Sequence, residues 1–209
     1  MIGVIDYEIG NLGSILNMLK KLKLSCRAVS NPAECFECTK LILPGVGAFD
    51  QGMSKLAEHG FVESLHQIVA DDKIHVLGIC LGAQMMTRGS EEGQLPGLGW
   101  FAADTIRFFS RHDVANAKVA NAKVPHMGWA DVQVTKTSPL LHSGEEDRFY
   151  FVHSYHFQCD EPEIVLATAH YGYEFVAAMS TRKLVGAQFH PEKSHRFGMR
   201  LLERFASWS

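Results

Sequence analysis

A cysteine between two glycines is the residue of this sequence best placed to perform covalent chemistry. Cys80 directly follows the apolar run His75–Ile79, with Gly78 before it and Gly82 after it. Glycines at these positions allow a tight turn from strand to helix, which projects a nucleophile at the carboxyl end of a sheet. The start of a helix favours a thiolate and offers backbone N–H groups to an oxyanion, here the amide of Leu81. The pattern predicts a nucleophile elbow; a buried structural cysteine is the alternative.

A histidine and a glutamate near the end of the chain could complete a catalytic triad. His190 and Glu192 follow the apolar run at residues 184–188, and Pro191 between them stiffens the loop. A histidine can act as general base and acid for a thiol, while a carboxylate orients the imidazole and stabilises its charged form. A His-x-Glu run alone is more often a surface loop. Together with the elbow it predicts the triad Cys80, His190 and Glu192.

A third run with possible chemistry follows the apolar residues 40–43. Gly45 and Gly47 flank Val46, directly after Pro44. Glycines on both sides allow the backbone to turn its amides towards a pocket, which the second half of an oxyanion hole requires. An ordinary Pro-Gly turn is the alternative. In hydrolase-like folds one oxyanion amide comes from such an earlier loop, so we expect the donor at Val46 or Gly47.

These three runs have to be positioned by a sheet whose strands end at a common edge. In the first half of the chain, short apolar runs alternate with residues at helical spacing. Strands that are apolar throughout favour a parallel sheet covered by helices on both faces. Strands are predicted at residues 2–6, 26–30, 40–43 and 75–79, and helical faces at Leu12, Ile15, Leu16, Leu19 and Leu22 and at Phe61, Val62, Leu65, Ile68 and Val69.

The second half of the chain has a different pattern, in which short strand-like runs are separated by turn residues. They lie at residues 105–109, 130–135, 148–152, 164–169, 174–179 and 184–188. We expect them to add antiparallel strands to the sheet. In the final predicted helix Phe197, Leu201, Leu202 and Phe205 share one face. The prediction is one α/β domain over residues 1–209, with a mostly parallel central sheet, flanking helices and additional antiparallel strands.

Charge and composition exclude several classes of function. The 20 Lys and Arg residues against 23 Asp and Glu residues give a net charge of -3, which argues against a nucleic acid partner. No run approaches the roughly 20 apolar residues of a membrane helix, and the N-terminus does not have the pattern of a signal peptide. The five cysteines are an odd number. We therefore expect no membrane contact, reduced thiols and a cytoplasmic location.

Three further features are not assigned to a metal site or a repeat fold. Cys35 and Cys38 form a single Cys-x2-Cys pair, so a chance pair on a loop or short helix is preferred to a zinc site. His153 and His156 have no carboxylate at suitable spacing, and we interpret them as a pocket residue and a solvent-facing neighbour. The duplicated runs at residues 114–118 and 119–123 are too few for a repeat fold and predict a surface loop. No metal and no cofactor is expected.

Taken together, the motifs resemble the triad-type (class I) glutamine amidotransferases, and within them the glutaminase subunits of imidazole glycerol phosphate synthase. The resemblance covers nearly the whole chain. The elbow and the His-Pro-Glu run are diagnostic of the broad family, and two other runs are typical of the subfamily. These are Pro125-His126-Met127-Gly128-Trp129 and Phe151-Val152-His153-Ser154-Tyr155.

The resemblance implies a fold, a substrate and a partner. It implies the class I glutamine amidotransferase fold and a glutamine pocket lined by Gly45, Gln84, His153, Ser154 and Tyr155. Ammonia would pass to a (β/α)8-barrel cyclase in a heterodimer that makes imidazole glycerol phosphate for histidine biosynthesis. Lys193 and residues 125–129 would lie towards that barrel.

Two departures leave a second acceptor open. The subfamily usually continues Pro-His-Met-Gly-Trp with asparagine, whereas this chain has Ala130, which removes an amide near the expected interface. Residues 89–100 and 190–198 look similar to paralogues that supply ammonia for the amidination of surface-polysaccharide sugars. The glutaminase chemistry would be the same in both cases, and the acceptor would differ.

Readings from other classes explain fewer residues. A catalytically silent, glutamine-binding assembly subunit would normally have lost a triad residue, and all three are present here. A cysteine peptidase or esterase would share the elbow and the histidine, but it gives no reason for the two subfamily runs. The glutaminase interpretation accounts for all of these features.

Overall fold

One mixed sheet runs through the molecule. The computed structural model describes residues 1–109 and 123–209. The duplicated runs at residues 114–118 and 119–123 therefore lie outside the described residues, apart from Lys123 at the end of the second run. The strands are β1 Ile2–Ile5, β2 Cys26–Val29, β3 Lys40–Leu43, β4 His75–Ile79, β5 Ala103–Arg107, β6 His126–Val134, β7 Asp147–His153, β8 Tyr155–Cys159, β9 Val165–Tyr171, β10 Tyr173–Thr181 and β11 Leu184–Ala187.

The helices cover both faces of the parallel part of this sheet. They are α1 Leu12–Lys21, α2 Phe49–Glu58, α3 Phe61–Asp71, α4 Leu81–Met85 and α5 His195–Ser207, with short 3-10 helices at Pro32–Glu37, Pro162–Ile164 and Pro191–Lys193. No helix in the described ranges is long and apolar enough to cross a membrane.

The sheet has a parallel half and an antiparallel half. Its order is β2-β1-β3-β4-β11-β10-β9-β6-β7, with β8 paired to β10 and β5. Strand β1 pairs in parallel with β2 and β3, and β3 pairs in parallel with β4. Strand β11 pairs in parallel with β4 but antiparallel with β10. The predicted α/β fold with additional antiparallel strands is confirmed, and the sheet as a whole is mixed.

Alternate side chains of the parallel strands pack into two separate cores. On β3, Ile42 belongs to the core shared with α1 and α5, while Leu41 and Leu43 belong to the core shared with α2, α3 and α4. A strand buried on both faces has no polar alternation, which explains its continuous apolar run. In α5, Leu201 and Phe205 are buried, as the predicted helical face requires.

The structure differs from the sequence prediction at several elements. The predicted strand at residues 105–109 begins two residues earlier, at Ala103, and the one at 130–135 extends back to His126. Helix α2 and strand β8 were not predicted. In α2, Gly52 interrupts the apolar pattern, but a Cβ there would lie 2.8 Å from Met85 Sδ. Glycine at this position therefore lets α2 pack closely against α4.

Candidate active site

Cys80 occupies a sharp turn between β4 and α4. Its φ of 52° is in the left-handed region, which a residue with a side chain adopts only under strain. A Cβ on Gly82 would lie 1.9 Å from the carbonyl oxygen of Leu43, and one on Gly78 would lie 2.8 Å from Ala83 Cα. Both glycines are therefore required by close backbone packing. The turn has the geometry that the Gly-x-Cys-x-Gly spacing predicts.

His190 and Glu192 form a buried pair beside Cys80. Nδ1 of His190 lies 2.8 Å from Oε1 of Glu192, and each side chain is only 1% exposed. Because a carboxylate accepts, Nδ1 donates this hydrogen bond. Burial alone would lower the pKa of His190, but Cys80 and Glu192 outweigh it and raise the pKa to about 9. The arrangement favours a positively charged imidazole at position 190 near neutral pH.

The loop that carries this pair is held from two sides. The backbone N–H of His190 donates to the Tyr150 carbonyl at 2.9 Å, and Ser194 Oγ donates to the His190 carbonyl at 2.6 Å. A Cβ on Gly198 would lie 1.8 Å from the carbonyl oxygen of Pro191, so α5 packs directly on the loop. The imidazole is thus fixed by β7 and by α5.

A cavity of about 330 Å³ opens in front of Cys80. The predicted site residues in its wall are Val46, Gly47, Cys80, Leu81, Gln84, His153, Ser154, Tyr155 and His190. Glu192 lies behind His190 and does not line the cavity. Gly45 does not line it either: a Cβ there would lie 2.6 Å from the Gly82 amide nitrogen. Gly45 therefore permits close contact between the loop and the elbow, and its predicted contact with the substrate stays a prediction.

The cavity wall also includes residues for which no part in the pocket was predicted. Pro125 and Lys193, assigned by resemblance to the partner side, lie in this wall together with Val152 and Glu92. Oε2 of Glu92 accepts a hydrogen bond of 2.9 Å from the Phe49 amide at the start of α2. The carboxylate is thereby held at the cavity. An acidic residue between Ser90 and Gly93 gave no sequence signal distinct from a solvated loop.

Two buried histidines, His153 in the cavity wall and His126 next to it, have protonation states that follow from burial and from their hydrogen-bond partners. His153 Nδ1 lies 2.7 Å from the Tyr155 carbonyl, which can only accept, so this nitrogen carries the proton. Burial lowers the pKa of His153 to about 3 and that of His126 to about 4, so both rings are neutral near pH 7. His153 Nε2 is then a bare acceptor for His126 Nδ1–H at 3.2 Å.

His156 is not the solvent-facing neighbour that the sequence predicted. It is only 6% exposed, and its Nε2 lies 2.8 Å from the hydroxyl of Tyr173. Its ring packs against Phe108 with the ring centroids 4.6 Å apart. Among the described residues, no group of three or more His, Cys, Asp or Glu is arranged to hold a metal ion.

Comparisons with known proteins agree with this geometry. A family model described as "Glutamine amidotransferase class-I" matches residues 3–207. "Imidazole glycerol phosphate synthase subunit HisH 2" of Pseudomonas aeruginosa is 46% identical over 98% of both chains. "Imidazole glycerol phosphate synthase subunit HisH" of Bdellovibrio bacteriovorus is 45% identical over 99% of both chains.

Solved structures show the same fold at lower identity. "Crystal structure of glutamine amidotransferase" matches with a TM-score of 0.75 at 20% identity, covering 99% of this chain and 97% of the other. "Structure of PurLQS from Thermotoga maritima" matches with a TM-score of 0.72 at 16% identity and the same coverage. The fold, the family match and the full-length relatives agree, and the chain belongs to the class I glutamine amidotransferases.

Proposed function

We propose that this chain is the glutaminase subunit of an imidazole glycerol phosphate synthase, releasing ammonia from glutamine for a cyclase partner in histidine biosynthesis. The observation that carries the proposal is the buried pair of His190 and Glu192 beside Cys80, in front of a cavity large enough for one amino acid. The names of the full-length relatives support the choice of pathway. The five cysteines are all free, which suits the reducing cytoplasm where we place the enzyme.

The reaction proceeds through a thioester. The thiolate of Cys80 attacks the side-chain amide carbon of glutamine, and the amides at Val46 or Gly47 and at Leu81 stabilise the oxyanion. His190 gives its proton to the departing nitrogen, and ammonia leaves as the C–N bond breaks. His190 then takes a proton from water, which attacks the thioester and releases glutamate and the thiolate. Glu192 keeps the imidazole oriented and stabilises its charged form in both steps.

The cavity wall supplies contacts for the rest of the substrate. The Glu92 carboxylate is the anionic side chain in this wall, so we assign to it the α-ammonium group of glutamine. Gln84, His153, Ser154 and Tyr155 line the pocket as polar groups that orient the side-chain amide. A neutral His153 adds no further positive charge to a wall that already contains Lys193.

An exposed apolar surface next to the cavity suits the cyclase partner. Met127 is 62% exposed and Trp129 is 37% exposed on β6, close to Pro125 in the cavity wall. Exposed aromatic residues and methionine are typical of protein interfaces. Ammonia released into water near neutral pH would be protonated and lose its nucleophilicity, so a (β/α)8 barrel covering this mouth as a heterodimer would keep it reactive.

The test is glutamate release by the purified chain, alone and with a histidine-pathway cyclase and its phosphoribosyl substrate. The isolated chain should be slow, because the glycines on both sides of Val46 allow the oxyanion donor to point away from the pocket until the partner binds, and each missing donor costs about 100- to 1000-fold. Partner and acceptor substrate together should restore that factor. Cys80→Ala is the control: it should release no glutamate, while its complex still uses ammonium salts.

Two results would contradict the proposal. Equal rates of glutamate release for the isolated chain and the complex would show that the loop at residues 45–47 does not control the reaction. Failure to bind the cyclase, together with activation by a sugar-amidinating synthase, would assign the ammonia to surface-polysaccharide synthesis instead.

A further inference from the structure

A buried amide that does not line the cavity contacts the nucleophile. Gln188 follows β11 and is fully buried, and it is neither a triad residue nor part of the cavity wall. Its Nε2 donates to Cys80 Sγ at 3.7 Å, and its Oε1 accepts from Gln84 Nε2 at 3.1 Å. Gln84 Nε2 also donates to the Tyr155 carbonyl at 3.3 Å. A hydrogen-bonded chain therefore runs from the pocket wall to the sulfur.

The direction of this chain is fixed by its first member. The Tyr155 carbonyl can only accept, and it already receives the Nδ1–H of His153 at 2.7 Å. Gln84 must therefore present its NH₂ group to this carbonyl, and Gln188 must present its oxygen to Gln84. The NH₂ group of Gln188 is then the only part of its amide left to face Cys80. A flipped amide at either glutamine would set two acceptors or two donors against each other.

We propose that Gln188 is a positioning residue for the nucleophile, holding Cys80 Sγ by an N–H donor whose direction is set by the Tyr155 carbonyl and relayed through Gln84. The inference rests on the proposed glutaminase function. Hydrogen bonds to a charged acceptor are stronger than those to a neutral one, so this contact favours the thiolate. It also leaves the carbonyl oxygen of Gln84 free for the substrate amide.

The pH dependence of Cys80 alkylation tests the proposal in the isolated chain. Iodoacetamide reacts with the thiolate, and mass spectrometry of the Cys80 peptide separates this site from the other cysteines. Gln188→Met keeps the length of the side chain but removes the donor, and it should move the midpoint of alkylation upwards by about one to two pH units. Gln188→Glu should also move it upwards, since a carboxylate would then face the sulfur.

Two comparisons separate a positioning role from a structural one. Gln158→Leu makes a similar change at an exposed site on β8 and should leave the midpoint unchanged. In the complex with the cyclase, Gln188→Met should lower kcat by about tenfold or more with little change in KM, because Gln188 does not line the cavity. If Gln188→Met fails to fold, as near-ultraviolet circular dichroism would reveal, Gln188→Leu also removes the donor without adding a charge and should move the midpoint in the same direction.

An unchanged alkylation midpoint in folded Gln188→Met, or in Gln188→Leu where that variant is used, would overturn the proposal. This measurement needs neither glutamine nor a partner. The alkylation experiment can therefore contradict the role of Gln188 while glutamate release is normal. It can also support that role when the cyclase proves to be the wrong partner.

Discussion

At the scale of single residues, the site depends on a charge balance that is kept away from water. His190 and Glu192 are each 1% exposed, and the second carboxylate oxygen of Glu192 is buried without a hydrogen-bond partner among the described residues. Burial of an isolated charge is costly, so each member of this group is stable only while its partner is present. The side chains to which we assign the reaction are thus also linked to the stability of the fold.

Glu192→Gln should lower glutaminase activity by about 100- to 10,000-fold, because the imidazolium of His190 loses its charged partner. The pH dependence of stability should change as well. The pKa of His190 is raised to about 9 in the folded chain, so its contribution is complete below the unfolded value of about 6.5 and is lost as the pH rises to about 9.

Denaturant unfolding at several pH values measures this effect. Between pH 6.5 and 9, the free energy of unfolding should fall more steeply for the unaltered chain than for Glu192→Gln. Parallel curves for the two proteins would show that the pair does not control this titration.

The residue types of the triad were predictable because each follows an apolar strand in a short, distinctive run. Gln188 gave no separate signal, since its neighbours explain it equally well as the end of β11. The burial of His156 was equally hidden, because its partner Tyr173 lies on another strand. Contacts between side chains on different strands depend on how the strands are aligned in the sheet, and a local sequence pattern does not predict that alignment.

At the scale of elements, the elbow is formed where three segments of backbone are in close contact: the turn at Cys80, the end of β3 and the loop that begins at Gly45. The turn at Cys80 lies against the end of β3, where the carbonyl oxygen of Leu43 nearly touches Gly82. Another close contact joins Gly45 to the amide nitrogen of Gly82. The loop predicted to donate to the oxyanion is thereby fixed to the nucleophile turn at one end, while Val46 remains 41% exposed at the other.

Gly82→Ala should destabilise the fold by about 3 kcal/mol, because its Cβ would overlap a backbone carbonyl that no side-chain rotation can move away. Gly89→Ala is a matched control, since a Cβ there meets nothing within 4 Å. It should change the free energy of unfolding by no more than about 0.5 kcal/mol. Chemical denaturation of both variants makes the comparison, and equal stability would refute the contact.

Elements with strong local patterns were predicted well, and those shaped by packing were not. The bounds of β3 and β4 agree with the prediction because their apolar runs end at clear turn residues. Only Ser154 separates the end of β7 at His153 from the start of β8 at Tyr155, and no glycine or proline marks the turn. The place of β8 beside β10 and β5 is set by tertiary pairing, which no local pattern reports.

At the scale of the whole molecule, the cavity and the apolar surface share one side. Outward and inward side chains alternate along β6: Met127 and Trp129 are exposed, whereas Ala130 is half-buried and packs against the core. Trp129 also stacks on His195, with the ring planes 7° apart. Ala130, which departs from the subfamily pattern, is therefore on the inward face of the strand. Its neighbours Met127 and Trp129 carry the exposed surface.

Met127→Asp should weaken the complex with the cyclase by about 30-fold, because it places a charge in an apolar interface. Thermal unfolding of the isolated chain should not change, since the side chain is 62% exposed. Phe36→Asp makes a comparable change at another exposed apolar residue, beside a separate cavity formed with α3, and should leave binding intact. Titration calorimetry measures the affinity of both variants for the cyclase. If only Phe36→Asp weakened binding, the interface would not include Met127.

The position of β11 in the sheet also constrains the order in which the chain can assemble. Strand β4, which leads to the nucleophile, pairs with β11 on one side, and β11 in turn joins the antiparallel half. A ribosome delivers residues 184–187 only after most of the chain, so until then β4 has an open edge. His190 arrives later still. A nascent chain therefore carries the thiol of Cys80 while more than a hundred further residues are added, without the histidine that we propose as its base, and we expect the thiol to become reactive only after residues 184–192 have been made and have joined the sheet.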